Sequence, residues 1–502
     1  MQPFNHNILM KRTYLKLVAC LTLLIVGSTS CDNEFEEINT NPNVPNTVTA
    51  DLLLPNIIRS TVNENMGTAW GIGNSVMQYT AKIQFVNEDR YLWGEQNGIW
   101  NTTYSTLREV QNMYNIASST TPVQKNYQGI ALVMKSWMMS LVTDAYGDAP
   151  YTEATKGKDM AYFPKYDTQE TIYNGILKDL ADASALLAPE NGVVNGDILF
   201  GGDVTKWKKM ANSLRVRYLM RISNKRDIKA DLQAIVSNPT ATPVFTSNTD
   251  NAALRYLPTV PNQFPLYTAR VGSFDEFRLS KTLGDRLTQL NDTRLAVFAR
   301  PTVASVAAGK PAYVGVPNGL DDNSALTYNG GAQNVSRVGA TYYIDGFGTP
   351  TEANLNIAKG IIMTYAELQF ILAEAAQKKL ITGDAKSYYE KGITASFAYY
   401  GLEVPAGYLA QANVAFNDAK ALELIGTQKW IALFYSGLEG WFDWRRTGYP
   451  TITPGPSNLN GNKVPVRFPY PSSELNLNKA SVEEAIARQG VNDINTAVWW
   501  DK

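Results

Sequence analysis

Apolar residues recur at three- and four-residue spacing along most of the chain, as they do when one face of a helix turns toward a core. The clearest run is Asp203 to Ser223, where Val204, Trp207, Ala211, Leu214, Tyr218 and Ile222 make one stripe behind Asp203, a natural N-cap. Similar spacing predicts helices over roughly Leu52–Asn65, Trp70–Phe85 and Gly98–Ala117, and a fourth from Pro122, suited to a first helical position, to Tyr146. In Asp167-Thr168-Gln169-Glu170 a capping residue is followed three positions on by a glutamate, opening a helix to Leu187 before Pro189 and Gly192 stop it. Ile361–Leu380 and Asp384–Tyr400 form a pair joined at Thr382-Gly383, with Ala366, Ala373, Ala376, Tyr389 and Ala395 at contact positions. Each has the length of one arm of a tetratricopeptide unit, although no constant period of about 34 residues recurs. The expected class is mainly α, with tetratricopeptide-like helix pairs stacked as a right-handed superhelical scaffold.

Between about Pro239 and Leu355 this pattern fails. Gly, Pro, Asn and aromatics dominate, and helical spacing survives only near Ser280–Leu290. Loops this long are usually functional or disordered. The density of Tyr256, Phe264, Tyr267, Phe274, Tyr313, Tyr328, Tyr342 and Tyr343 argues against disorder. The loop-rich insertion is expected to shape a ligand site on the helical scaffold.

At the N-terminus Lys11, Arg12 and Lys16 precede an apolar run, Leu17–Val26, and the small residues Gly27-Ser28-Thr29-Ser30, which lead into Cys31. Spanning a bilayer takes about 20 apolar residues, so the run fits a secretory signal, and small residues ending at a cysteine fit the site of lipoprotein signal peptidase. The expectation is a signal peptide over residues 1–30, an acylated Cys31 with a tether to residue 48, and a single domain over 49–502. Asp32, Glu34, Glu36 and Glu37 behind the anchor resemble a surface-export signal, or form a solvated tether.

Cleavage before Cys31 would remove three basic residues and no acidic one, leaving 42 Lys and Arg against 46 Asp and Glu, a net charge of −4. Nothing in that balance points to nucleic acid. Cleavage would also remove His6, the only histidine, and Cys20, the only other cysteine. Ser-His and Cys-His nucleophiles, His-ligated zinc and disulfides are then excluded. Carboxylate chemistry, lysine chemistry and binding without chemistry remain. Asp321-Asp322-Asn323 lacks the spacing of a calcium loop and reads as a solvated turn, so neither metal nor cofactor is assigned.

Six blocks occur in order: Ile38–Asn43 (INTNPN), Asp144–Ala154 (DAYGDAPYTEA), Lys206-Trp207 with Ala211–Arg217, Gln428–Leu433 (QKWIAL), Trp441–Pro450 (WFDWRRTGYP) and Val464–Pro471 (VPVRFPYP). Behind a lipobox, they resemble the SusD/RagB family of outer-membrane nutrient-binding lipoproteins, and they span nearly all of the chain beyond Cys31. The resemblance implies a mostly helical protein with four tetratricopeptide-like units, held at the outer membrane through the acylated Cys31 and facing the cell exterior. It further implies a hinged lid over a SusC-like TonB-dependent transporter, to which the protein delivers a glycan or, alternatively, a peptide. The blocks themselves read as structural. Asp443, Arg445 and Arg446 beside Trp441 and Trp444 fit an internal ion-pair and stacking network, with the grip of an anionic ligand as the alternative. Tyr146–Tyr151 fits a helix stop, with Gly147 permitting positive φ and Pro150 blocking continuation.

Sugars pack C–H faces on aromatic rings while their hydroxyls bond to amides and charged groups. Tyr79, Gln84, Asn87, Arg90, Tyr91, Trp93, Gln96 and Asn97 cluster around the end of the second predicted helix and depart from its periodicity. The resemblance places a ligand site between the N-terminal helices and the irregular middle, so the expected ligand-binding residues are Trp70, Gln84, Tyr91 and Trp93, with Phe274 and Tyr342 opposite. A glycoside hydrolase would need a pair of carboxylates. No motif isolates one, so no catalytic residue is assigned and the protein is read as a binder.

Overall fold

Side-chain acceptors decide where many of the helices begin. In this computed structural model, which describes residues 48–268, 275–344 and 349–502, Asp203 accepts the Lys206 amide at 3.2 Å and starts the helix Val204–Arg221. Ser280, Thr364 and Asp384 act in the same way for Lys281–Gln289, Tyr365–Gln377 and Ala385–Tyr399. The signal segment, Cys31, most of the tether and Phe274 lie outside the described residues.

The principal helices are α1 (Ala50–Thr68), α2 (Gly98–Ser119), α3 (Lys125–Tyr146), α4 (Gln169–Leu186), α5 (Val204–Arg221), α6 (Lys229–Val236) and α7 (Lys281–Gln289). They continue with α8 (Tyr365–Gln377), α9 (Ala385–Tyr399), α10 (Ala421–Ala432), α11 (Glu439–Thr447) and α12 (Lys479–Gln489). Each of α1 to α5 packs on the next, α5 reaches α8, and α8 packs on both α9 and α10. This is the tetratricopeptide-like, mainly α arrangement that the spacing predicts. Thr49–Lys502 forms one compact unit around buried tryptophans 137, 207, 441 and 500.

Several of the sequence blocks converge on an interior polar network. The Asp144 carboxylate accepts from the Tyr173 hydroxyl at 2.6 Å and from the Trp500 indole at 2.7 Å, with Arg221 at 3.5 Å. Arg446 pairs with Glu374 at 2.5 Å, Lys429 with Asp443 at 2.7 Å, and Arg217 with Glu367 at 2.6 Å. Arg445 is sandwiched against the rings of Trp441 and Trp500, at 4.8 and 4.5 Å. Buried charges need partners of this kind. The three motif residues 443, 445 and 446 therefore have their charges engaged inside the protein rather than by a ligand.

Four local expectations are corrected. The predicted helix Trp70–Phe85 is instead a continuation of α1 through a π-helical turn, Ala69–Gly73, and Asn74–Val76, followed by a strand, β1 (Thr80–Lys82). Gln78 at φ +54 ends the helix, and β1 finds its partner about two hundred residues away in β3 (Phe277–Leu279), which no local spacing reveals. Pro122 does not open α3; it lies in the turn closed by the Gln124 amide on the Ala117 carbonyl, 3.0 Å. Thr168, not Asp167, caps α4, because the Asp167 carboxylate is taken by the amides of Tyr151 and Thr152. Finally, residues 360–363 at the start of the predicted helix Ile361–Leu380 form a strand, β4, antiparallel to β2 (Ala252–Leu254), where β-branched Ile361 and Ile362 are favoured.

These two strand pairs explain how the middle excursion is held. β2 and β4 close its base, and β3 ties its centre to β1 beside α1. A second small core of Ala81, Ile83, Val316 and Val335 packs beneath it. Asp321, in the same region, caps the short helix Asp322–Thr327 by accepting from the Ser324 amide and hydroxyl.

Candidate ligand-binding site

The π-helical turn at the end of α1 widens the helix and places Trp70 at the junction with the excursion. The half-buried Trp70 ring lies 4.2 Å from Phe277 of β3 and 5.9 Å from Tyr435, tilted 27° from the latter. Tyr435 in turn stacks on Tyr342 at 4.5 Å. Three rings from three distant parts of the chain thus form one ladder, with Phe264 against its inner end. Tyr435 holds φ at +61, an uncommon conformation for a bulky residue. Its hydroxyl is buried without a hydrogen-bond partner among the described residues, and burial pushes its pKa well up.

Beside the ladder, the Lys82 ammonium of β1 lies 2.8 Å from Glu88 and 3.3 Å from Glu276, and 5.2 Å over the Phe277 ring. This lysine bridges the two carboxylates. Beyond it the chain turns outward through Gln84 and Phe85, both exposed. Phe85 is 72 % exposed and held at φ +53. An exposed aromatic in a strained backbone is a functional-site candidate, since neither burial nor backbone preference accounts for it.

The rest of this loop is pinned from below. Asp89 is buried and accepts from the Ser75 hydroxyl at 2.9 Å, the Asn318 amide at 2.6 Å and the Gly319 backbone amide at 3.0 Å. Burial outweighs these bonds and pushes its pKa up to about 6. Tyr91 is buried edge-on to Trp93, and Trp93 packs against Trp441 at 5.8 Å and Phe468 at 5.6 Å. The Trp93 indole donates to the Glu88 carbonyl at 3.0 Å.

Of the expected contact residues, the structure therefore brings Trp70 and Tyr342 into one ladder and leaves Gln84 on the adjoining rim. It separates Tyr91 and Trp93 from that surface, because Trp93 packs against α11 and the segment carrying Phe468 and Tyr91 is buried against Trp93. Tyr342 is itself only 2 % exposed, so it backs the ladder rather than facing solvent. Among the other clustered residues Tyr79 is core, donating to the Trp430 carbonyl at 2.6 Å, and Arg90 holds the Ser457 carbonyl at 2.8 Å. Phe85, Phe277 and Tyr435, which lie in the same region, are not among the residues expected from the sequence. Phe85 carries no signal beyond its place in an aperiodic segment, and the other two reach Trp70 only through long-range contacts.

Residues 42–471 match the family model SusD-like_2, described as starch-binding and associating with the outer membrane. The chain belongs to the SusD-like family. A SusD homologue from Bacteroides fragilis, 29 % identical, superposes with a TM-score of 0.77, with 91 % of this chain and all of that one covered. An outer-membrane protein of Bacteroides vulgatus gives 28 % identity and a TM-score of 0.78 over 91 % of this chain and 100 % of its own. A chitin-binding protein gives 27 % identity and 0.76 over 90 % and 99 %. No functionally curated protein matches the sequence. Its family is one of outer-membrane-associated binding proteins, and no helix among the described residues is long and apolar enough to cross a membrane.

Proposed function

We propose that this SusD-like protein is a lipoprotein on the outer face of the outer membrane, anchored through acylated Cys31, which captures a glycan and passes it to a SusC-like TonB-dependent transporter. The observation that carries the binding reading is the aromatic ladder of Trp70, Tyr435 and Tyr342, whose neighbour Phe277 pairs with Lys82 just before the exposed Gln84 and Phe85. An apolar ring surface beside an amide matches the alternating C–H faces and hydroxyls of a saccharide. Trp70, Gln84 and Phe85 form the contact rim, and Phe274 is the further aromatic expected there. Tyr342 and Tyr435 back the rim, and Tyr91 and Trp93 hold the loop that carries it. Similarity to a chitin-binding protein supports saccharide as the ligand class.

The test is binding of the purified protein to a panel of neutral oligosaccharides and peptides, with Trp70→Ala and Phe85→Ala alongside. Saccharide binding weakened in both variants supports the site; peptide binding alone replaces the ligand class, and product release from a glycan overturns the binding-only reading. Delivery is tested in cells: Cys31→Ala should abolish uptake of the bound saccharide, and the wild-type protein should co-purify with a TonB-dependent barrel.

A further inference from the structure

A cleft of about 430 Å³ lies elsewhere on the same unit, between the start of α2, the segment from Pro150 to Pro164, and the short helix Ser472–Leu477. Its floor is the buried Trp100 ring, with Tyr104 at 4.9 Å and Tyr166 stacked at 5.9 Å. The outer wall is Tyr162 and Phe163, which are 70 % and 71 % exposed, with Leu477 at 72 % across from them. Large apolar side chains this exposed occur singly on most surfaces, and their concentration at one recess marks a contact site.

The polar groups narrow the occupant. Glu474 lines the cleft, and only its Oε2 is engaged among the described residues, accepting from the Tyr166 hydroxyl at 2.8 Å. The Asn101 amide is exposed beside it, and Asn478 donates to the Pro164 carbonyl at 2.8 Å, fixing the wall that carries the two rings. Among the described residues no lysine or arginine lines the recess, so an anionic ligand would meet a carboxylate and no cation. Two larger cavities differ in this respect: one carries Lys386 and Lys391, the other Lys135, Lys156 and Lys178, and neither has an exposed aromatic wall. A flat protein-docking surface would not need a recess of ligand size, for which roughly 300–1,000 Å³ is usual.

We infer that the cleft between Tyr162, Phe163 and Glu474 is a second binding site for a neutral saccharide, separate from the ladder at Trp70. The rings take the C–H face of a sugar, and the free Glu474 oxygen and the Asn101 amide take its hydroxyls. A long glycan held at both sites would gain avidity without any new contact at the first. The inference rests on the saccharide reading of the protein.

The test is a double variant, Tyr162→Ala with Phe163→Ala, together with Glu474→Gln, titrated beside wild type and Trp70→Ala with chitohexaose, maltoheptaose and cellohexaose. Both rings are exposed, so the double variant keeps the wild-type melting temperature. For the oligosaccharide that wild type binds, the double variant loses about tenfold in affinity, Trp70→Ala retains a residual binding phase, and combining them removes that phase. Loss in Trp70→Ala with no change in the double variant overturns the second site and leaves the first standing. Wild-type binding to none of the three overturns both. A double variant that keeps full saccharide affinity but no longer co-purifies with a transporter makes the cleft a protein contact and also overturns the inference.

Discussion

The ring of Tyr435 lies 4.5 Å from that of Tyr342 and within 6° of parallel, joining the turn after α10 to the middle excursion. Tyr435 sits at φ +61, which costs a side-chain-bearing residue about 1–2 kcal/mol, and its buried hydroxyl has no partner among the described residues. Its ring is therefore what the fold uses. Tyr435→Phe should unfold within about 0.5 kcal/mol of wild type or slightly later in a denaturant titration. Tyr435→Ala should lose about 3–5 kcal/mol through the cavity left beside Trp70, Tyr342 and Phe434. Equal losses in both variants would show that the hydroxyl is bonded after all.

Phe85 separates strain from contact. At φ +53 a glycine is at ease and an alanine is not. Phe85→Gly should be more stable than Phe85→Ala by about 1 kcal/mol, while both lose the same affinity for the captured saccharide. Thermal melts and titration calorimetry on the pair would decide; affinities that follow stability would place Phe85 among the packing residues.

Arg446 grips both oxygens of Glu374 inside the protein, at 2.6 and 2.5 Å. Arg446→Ala should cost about 3–5 kcal/mol by leaving a buried carboxylate short of its partner, and Arg446→Lys less than that. Burial alone would raise the Glu374 carboxyl, but Arg446 outweighs it and holds the pKa down at about 2, from an ordinary 4.5. A depressed folded pKa gives stability that is complete above pH 4.5 and is lost as the pH falls toward 2. Chemical denaturation at stepped pH should show that loss in wild type and much less of it in Arg446→Ala.

Asp89 works in the opposite sense. Burial raises its pKa from 3.8 to about 6, so the folded state favours the protonated acid. Its stabilising contribution is complete below pH 3.8 and is lost as the pH rises through 6. The stability difference between wild type and Asp89→Asn should therefore shift in favour of wild type by about 2 kcal/mol from pH 7 to pH 4. Hydrogen exchange at the Gly319 amide, which donates to Asp89, reads this locally. A difference independent of pH would mean that Asp89 is ionised throughout that range.

Much of the scaffold was legible in the sequence because helices are written in local spacing. The stripe from Val204 to Ile222 and the cap at Asp203 needed no partner to be recognised, and both are present in α5. The motif arginines were also readable as interior ion pairs, since a cluster of opposite charges among tryptophans has few other uses. By contrast, Thr80–Lys82 became a strand only because Phe277–Leu279 comes to lie beside it. Ile361 and Ile362 left the helix pattern because Ala252–Leu254 offered a ladder.

The candidate site follows the same division. Sequence pattern and motif order by themselves determined a helical binding scaffold with an aromatic-rich excursion, because these depend on residue type and short-range spacing. Which aromatics are free to face a ligand and which are packed away is decided only in three dimensions. Tyr91 and Trp93 look from the sequence like surface rings near amides, yet Trp93 packs inward on Trp441 and Phe468 and Tyr91 is buried edge-on to Trp93. Tyr435 and Phe277 join Trp70 through contacts spanning hundreds of residues. The face an aromatic presents depends on what packs against its other face, and those partners lie far away along the chain.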